Sequence, residues 1–342
     1  MTAAKHVLLN AYPVGMPTAD TFTIADAPPV EVPAGGVALK LLWLSVDPYL
    51  RGRMSPAKSY AQPFLPGQPL YSGGVAEVTA SENPKFPVGS LVTGLMIWAH
   101  EQAHSGMGLT RLDPALGWGG ALSPSLSIGA LGMPGFTGWV GLNIHGRPVA
   151  GETIVVSAAT GAVGAMVCQL AKRQGLRVVG VAGGAEKCAY AVEVLGCDAC
   201  VDHKDPELKS KLKAACPRGV DIYFENVAGV TLDAVFPLLN DFSRIPVCGM
   251  ISVYNDTQAP EGPDRFPGFW RAVLTKRIAV RGFIVSDHAD RHGEFLKEVA
   301  PLIAAGQIKT RETVTEGLEN APDAFLSLLT GANFGKAVVK VA

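Results

Sequence analysis

The segment Thr-Ile-Val-Val-Ser-Ala-Ala-Thr-Gly-Ala-Val-Gly at 153–164 constrains this chain more than any other. An apolar run reads as a buried strand and passes directly into Ala159-x-Gly161-x-x-Gly164, which opens a helix. The spacing is that of a dinucleotide fingerprint with Ala in place of the first glycine. Glycines there allow a tight turn and a close approach of backbone to a pyrophosphate, and the helix N-terminus favours negative charge. Alone, the triplet is also what a tight strand–helix packing turn needs. A second strand, Arg177–Ala182, arriving at the expected distance favours nucleotide binding.

The surrounding texture agrees. From about residue 150, short apolar strands alternate with amphipathic segments. The strands read as Thr153–Ser157, Arg177–Ala182, Ala199–Asp202, Ile222–Glu225, Ile245–Cys248 and Ala279–Val285. The helices between them read as Ala165–Gln174, Glu186–Leu195, Pro206–Ala215 and Thr231–Leu239, with another near Gly293–Ala305. Such alternation predicts an α/β fold, a doubly wound parallel sheet covered on both faces. Up to about residue 125 the chain is instead rich in Pro and Gly, with short runs at Gly36–Leu44, Gly73–Thr79 and Ser90–Leu95, which predicts a β-rich domain. The tail (Thr310–Val314, a helix at Pro322–Leu329, and Lys336–Val341) is expected to return to that first domain. The expected division is 1–125 with 309–342, and 126–308.

With 342 residues there is ample core for two domains. Apolar residues make up 48% and charged residues 17%, which excludes disorder for most of the chain. A net charge of −1 gives no electrostatic footprint for nucleic acid or an anionic membrane. The longest charge-free stretch, 114–144, holds eight glycines and three prolines. Its Met-Pro-Gly-Phe-Thr-Gly run at 133–138 is expected to break a helix in the middle, so no membrane span is assigned. Val7-Leu8-Leu9 is too short for a secretory signal, and a cytoplasmic location is expected.

All six cysteines lie at or beyond Cys168, as free thiols in a reducing compartment would. Cys197-x-x-Cys200 is half of a zinc pattern without its second half and reads as structural. The first 167 residues hold no cysteine, and His6, His100 and His104 are not grouped like ligands, so no metal site is expected.

The second strand ends in Gly183-Gly184, without the carboxylate that usually holds the ribose 2′-hydroxyl of NAD. Lys187 follows on the next helix, where its ammonium suits a 2′-phosphate, although Glu186 beside it also suits a ribose hydroxyl. The balance favours NADP over NAD. Without a Lewis acid, a hydride acceptor must be a carbon already activated by conjugation.

Several segments carry a likeness to a known family. They are Ser45-Val-Asp-Pro-Tyr-Leu-Arg-Gly-Arg-Met54, Gly132-Met-Pro-Gly-Phe-Thr137, Ala158–Gly164, Asp221-Ile-Tyr-Phe-Glu-Asn226, Gly249-Met-Ile-Ser-Val-Tyr-Asn255 and Asn333-Phe-Gly-Lys336. Through them the whole chain resembles the zinc-independent medium-chain dehydrogenase/reductases, specifically the leukotriene B4 dehydrogenase/prostaglandin reductase family, with its alkenal and curcumin reductase-like members.

The resemblance implies a Rossmann domain plus a β-rich GroES-like catalytic domain, a homodimer, and NADPH-dependent reduction of the α,β-double bond of a small hydrophobic enal or enone. It implies that Gly161, Ala162, Val163 and Gly164 cradle the pyrophosphate, that Lys187 and His203 flank the adenosine phosphate, and that Asn226 contacts the nicotinamide-side ribose. Cys248, Gly249 and Ser252 would line the cofactor, Phe283 and Val285 would flank the nicotinamide, and Asn333 and Gly335 would close over the phosphates. His203 stands where relatives usually have Tyr, which would make affinity for the nucleotide sensitive to pH. Thr137-Gly138-Trp139 likewise departs from the usual Thr-Ala-Tyr.

For catalysis, Tyr254 is the expected hydrogen-bond donor to a developing enolate, with Tyr49 facing the same cleft. A phenol stays protonated at neutral pH and can donate. Arg51 is expected to brace its loop through Asp47. Trp98, Trp139, Phe266, Phe269 and Trp270 are candidate apolar walls, and Asn255–Pro267 reads as a lid. Two rival readings remain open: a zinc-free quinone oxidoreductase, and a nucleotide-binding protein without catalysis.

Overall fold

The structure is a computed structural model and describes residues 4–258 and 261–342. The chain folds as two compact units, one running to Gly132 and taking in Glu312–Ala342, the other spanning Met133–Arg311.

The first unit begins with β1 (Lys5–Leu9) and β2 (Phe22–Asp26), an antiparallel pair. It continues through β3 (Val37–Ser45), α1 (Leu50–Arg53), β4 (Tyr71–Ser81), β5 (Leu91–Ile97), β6 (Glu101–His104) and β7 (Thr110–Arg111). The second unit holds α2 (Met133–Val140), β8 (Thr153–Ser157), α3 (Ala162–Arg173), β9 (Arg177–Ala182), α4 (Ala185–Glu193), β10 (Ala199–Asp202), α5 (Leu208–Ala215) and β11 (Val220–Phe224). It goes on with α6 (Gly229–Val235), β12 (Leu239–Val247), α7 (Phe266–Lys276), β13 (Ala279–Gly282) and α8 (His292–Ala304). The chain then returns to the first unit as β14 (Glu312–Glu316), α9 (Ala321–Leu329) and β15 (Lys336–Lys340).

In the second unit the strand order is β10-β9-β8-β11-β12-β13, with parallel pairing throughout. Every residue of β8 is buried, as a central strand covered on both faces requires. Burying each of Ile154, Val155 and Val156 contributes about 1.5–3 kcal/mol. The order reverses beside β8, between β9 and β11, which puts the β8–α3 turn at the point where doubly wound sheets bind ligands.

In the first unit β14-β15-β3-β4-β5-β7 form a sheet around a core that includes Leu39, Leu41, Leu44, Trp98 and Phe325. β15 pairs antiparallel with β3, Val338 opposite Ser45. Lys336 is buried and satisfied, donating to the carbonyls of Val46 (2.7 Å) and Ala337 (2.8 Å) and pairing with Asp47 at 3.0 Å.

Several sequence expectations shift. The first unit runs past 125 to Gly132, because Ile128 packs with Val75 and Val338 and Ser125 donates to Glu312 at 2.9 Å. Residues 309–311 stay in the second unit, where Gln169 exchanges two hydrogen bonds with the backbone of Lys309 (3.0 and 2.7 Å). Met-Pro-Gly-Phe-Thr-Gly starts α2 and does not break a helix, since Pro134 sits in the first turn, where a missing N–H is harmless. The last strand ends at Gly282, so Phe283 and Val285 lie beyond it. α7 already begins at Phe266, which shortens the 255–267 loop, and residues 259 and 260 of that loop lie outside the described residues. Among the described residues no helix is long and apolar enough to cross a membrane.

Candidate active site

The β8–α3 turn is built around Ala158, which has a positive φ of 49°. A Cβ on Gly164 would stand 2.2 Å from the Ala158 carbonyl oxygen, and one on Gly161 would stand 3.2 Å from it. Only glycine lets α3 start this close to β8. No side chain caps the helix at Gly161, so the first-turn N–H groups of Ala162, Val163 and Gly164 face outward as a cradle for an anion. These residues fit a dinucleotide pyrophosphate.

A cationic corner closes the far ends of β9 and β10. The imidazole of His203 packs on the Gly183 backbone, where a Cβ would meet it at 2.8 Å, and its Nδ1 lies 3.0 Å from the Ala182 carbonyl. Burial lowers the pKa of Lys187, and the neighbouring Lys204 ammonium lowers it further. Two ammonium groups that repel one another are stabilised by an anion between them, which fits a phosphate. Glu186, the rival group on that turn, faces Arg311 at 4.0 Å, and the Arg311 guanidinium lies 5.4 Å from the Tyr190 ring centre. Lys204 and Arg311 were not singled out from the sequence. Lys204 directly follows His203, a signal that was available.

On the other side of the switch point, two turns brace one another. Asn226 is held at the end of β8, its N–H donating to Ser157 Oγ and its Nδ2 to the Ser157 carbonyl, both at 2.7 Å. Cys248 and Gly249 donate to the Glu225 carbonyl at 2.9 and 3.1 Å, and Ser252 Oγ donates to the Val227 carbonyl at 2.5 Å. Burial pushes the Cys248 thiol up to about 12, so it lines the site as a neutral group. Beneath these turns lies Glu225, which the sequence reading passed over. Its Oε1 accepts from Tyr223 Oη (2.9 Å), Ser157 Oγ (3.2 Å) and the N–H groups of Val227 (2.7 Å) and Ala228 (2.9 Å).

Tyr254 follows the short helical turn Ile251–Val253, and its phenol folds back over Gly249, where a Cβ would stand 3.0 Å from Oη. The Met250 N–H donates to Tyr254 Oη at 3.3 Å, which leaves the phenolic hydrogen for donation elsewhere. Burial raises the phenol pKa against the lowering effect of that bond, so the group is protonated at neutral pH. Phe283 packs on His145 (ring centres 4.8 Å apart), close enough that a Cβ on Gly141 would meet it at 2.8 Å. Val285 opens the turn Val285–Arg291, which carries His288.

Tyr49, Asn333 and Gly335 belong to the first unit. Tyr49 precedes α1, and burial drives its phenol well above the usual value, while Arg53 donates to it. The Arg53 guanidinium lies 4.1 Å from the ring centres of both Phe64 and Tyr71. Arg51 braces its loop by donating to the Gly15 carbonyl at 2.8 Å, whereas Asp47 is held by Lys336 and Ser45. Asn333 Nδ2 donates to the Gly335 carbonyl at 2.8 Å, with Gly335 at a φ of 81°.

Two candidate walls are core residues: Trp98 is fully buried with Nε1 on Ser72 (3.0 Å), and Trp139 is buried with Nε1 on Glu298 (2.7 Å). Phe266 and Trp270 are exposed on α7, with Phe269 stacked on Phe236. His100 and His104 each accept a backbone N–H at 2.9 Å, from Lys5 and Gly106. Among the described residues no group of three or more His, Cys, Asp or Glu is placed to hold a metal ion.

Two family models match the chain, an N-terminal domain of oxidoreductase over residues 5–112 and a zinc-binding dehydrogenase over 162–304. An NADPH-dependent curcumin reductase of Escherichia coli is 46% identical over 99% of this chain and 97% of its own length. A 2-alkenal reductase (NADP(+)-dependent) of Nicotiana tabacum is 40% identical over 99% of this chain and 97% of its own. The crystal structure of CurA in complex with NADPH from Vibrio vulnificus has a TM-score of 0.94 and 45% identity, covering 99% of both chains. On this whole-length likeness the chain belongs to the zinc-independent medium-chain dehydrogenase/reductases, in the leukotriene B4 dehydrogenase/prostaglandin reductase family.

Proposed function

We propose that this protein is an NADPH-dependent reductase of the α,β-double bond of enals and enones. The observation that carries the nucleotide half is the cradle of outward N–H groups at Ala162–Gly164, set where the strand order reverses. The reaction class is supported by the names of the relatives, a curcumin reductase and a 2-alkenal reductase.

Gly161, Ala162, Val163 and Gly164 hold the pyrophosphate through backbone N–H groups and the α3 dipole. Lys187, aided by His203 and Lys204, holds the 2′-phosphate. With Asn226 Nδ2 committed to Ser157, its Oδ1 is the atom that would accept from a ribose hydroxyl. Cys248, Gly249 and Ser252 line this pocket, Phe283 and Val285 flank the nicotinamide, and Asn333 and Gly335 act on the phosphates.

When bound, NADPH supplies hydride to the β-carbon of the conjugated substrate. Tyr254 donates its phenolic hydrogen bond to the carbonyl oxygen, where negative charge develops. Its raised pKa keeps that hydrogen in place through neutral and mildly alkaline pH. Tyr49, also kept protonated by burial, is a second donor that orients the substrate. The fully exposed edge strand β13, with Phe266, Trp270 and Leu274 exposed on α7, supports a homodimer formed by edge pairing.

Reduction of an aryl enone with NADPH deuterated at the nicotinamide tests the chemistry. Deuterium at the β-carbon of a saturated ketone is expected. Deuterium on a carbinol carbon would point to carbonyl reduction and overturn the reading.

A further inference from the structure

The functional site absorbs one of the six cysteines, Cys248. The other five are unevenly placed. Cys168 and Cys197 are buried against each other, and Cys216 is buried alone, with burial pushing its thiol up to about 11. Cys188 and Cys200 are only half-buried, and their Sγ atoms lie 3.0 Å apart. The sequence pair Cys197-x-x-Cys200 is therefore split by the fold: Cys197 lies ahead of β10 against Cys168 of α3, whereas Cys200 lies within β10 against Cys188 of α4.

We propose that Cys188 and Cys200 form an oxidisable pair, a modification site for hydroperoxides that closes to a disulfide at the rim of the cationic corner. The approach needed is small, from 3.0 Å to a bond of about 2.05 Å. Cys188 lies in the first turn of α4, where the helix dipole favours a thiolate, while burial and the Asp202 carboxylate oppose it. Cys200 donates its thiol hydrogen to Cys188, which lowers the Cys188 pKa and marks it as the attacking sulfur.

The chemistry balances with a hydroperoxide as the oxidant. Cys188 thiolate attacks the terminal oxygen, the O–O bond breaks, and the leaving alkoxide takes a proton to become an alcohol. The resulting sulfenic acid is attacked by Cys200 sulfur, which gives up its proton as the S–O bond breaks and water leaves. Two thiols lose two electrons and two protons, and the hydroperoxide is reduced to alcohol and water.

The disulfide would tie the first turn of α4 to β10 and draw Cys188, and with it Lys187, toward the sheet. Resting on the nucleotide reading above, this predicts a reversible fall in NADPH affinity.

The test treats the full-length protein with cumene hydroperoxide, blocks residual thiols and maps the linkages. Cleavage after Lys187, after Glu193 and before Asp198 puts Cys188, Cys197 and Cys200 on separate fragments. A Cys188–Cys200 link is expected, lost in Cys188→Ser and Cys200→Ser and kept in Cys197→Ser. A Cys197–Cys200 link, or Cys188 oxidised without any link, would overturn the proposal. NADPH titration by fluorescence should then show affinity lower by about tenfold in the oxidised protein, restored by dithiothreitol and unchanged by oxidant in Cys200→Ser. A mapped link with equal affinity in both states would overturn the coupling. Failure of the reduced protein to bind NADPH would instead overturn the nucleotide reading, a result seen in a different sample from the linkage map.

Discussion

Glu225 Oε1 accepts the N–H of Ala228 at 2.9 Å while Ala228 sits at φ 67°, ψ −153°, a backbone conformation that favours glycine. The buried carboxylate thus holds a strained turn that carries Asn226 and receives Ser252. Strain of this kind costs about 1–3 kcal/mol.

Ala228→Gly is therefore expected to stabilise the protein by about 1 kcal/mol, because it removes the Cβ that makes the conformation costly. Glu225→Gln keeps an acceptor at Oε1 and is expected to be tolerated. Glu225→Leu leaves the Val227 and Ala228 N–H groups without their acceptor and should cost about 3 kcal/mol or more. Urea denaturation of the three variants measures this, and equal stability of the Gln and Leu forms would contradict the role given to the carboxylate.

Tyr254→Phe should slow turnover by about 10²- to 10⁴-fold with NADPH affinity within about twofold of the wild type. Gly249→Ala should move activity the same way, since its Cβ would stand 3.0 Å from Tyr254 Oη and displace the phenol. Steady-state kinetics with parallel NADPH titration decides. A Tyr254→Phe variant that loses NADPH binding and turnover equally would assign Tyr254 to the cofactor.

Lys187→Ala should weaken NADPH by about tenfold or more and leave NADH nearly unchanged, because charge-assisted bonds to a phosphate contribute about 1.5–3 kcal/mol. Lys204→Ala should act in the same direction with a smaller effect. An unchanged NADPH/NADH ratio in both variants would remove the 2′-phosphate from this corner.

His145 Nε2 lies 3.2 Å from His288 Nε2, and burial lowers the His145 pKa, with His288 and Arg281 adding to the effect. A histidine whose folded pKa is depressed binds its proton more readily when unfolded. Its contribution to stability is therefore full above pH 6.5 and declines as pH falls below that value toward the folded pKa. Thermal unfolding from pH 7.5 down to about 5 should show this decline in the wild type and a flatter profile in His145→Gln. Identical profiles would rule out His145 as the titrating group.

Much of the second unit was legible because β8, β9 and β10 are short apolar runs with helical patterns between them, and the structure starts and ends all three where the sequence does. Ends were misread where tertiary contacts decide. Leu239 reads as the close of a helix, yet it opens β12 because the sheet takes it up opposite Val220. The tail segment expected at Thr310–Val314 is a strand two residues further on, Glu312–Glu316, because pairing with β15 sets its ends. In the candidate site, glycine spacing revealed the cradle. Glu225 and Arg311 stayed hidden because no local pattern announces a partner as distant as Ser157 or Glu186, whereas Lys204 stands directly beside His203. The aromatic walls fared worst: nothing local tells a core tryptophan such as Trp98 from an exposed one such as Trp270.

The central claim is tested most directly by following the loss of NADPH absorbance with the purified protein and a panel of a 2-alkenal, an aryl enone, curcumin and a quinone. Consumption with the enal or the enones, matched by formation of the saturated carbonyl product, is the predicted result. Consumption with the quinone alone would contradict the account and make the protein a quinone reductase on the same fold.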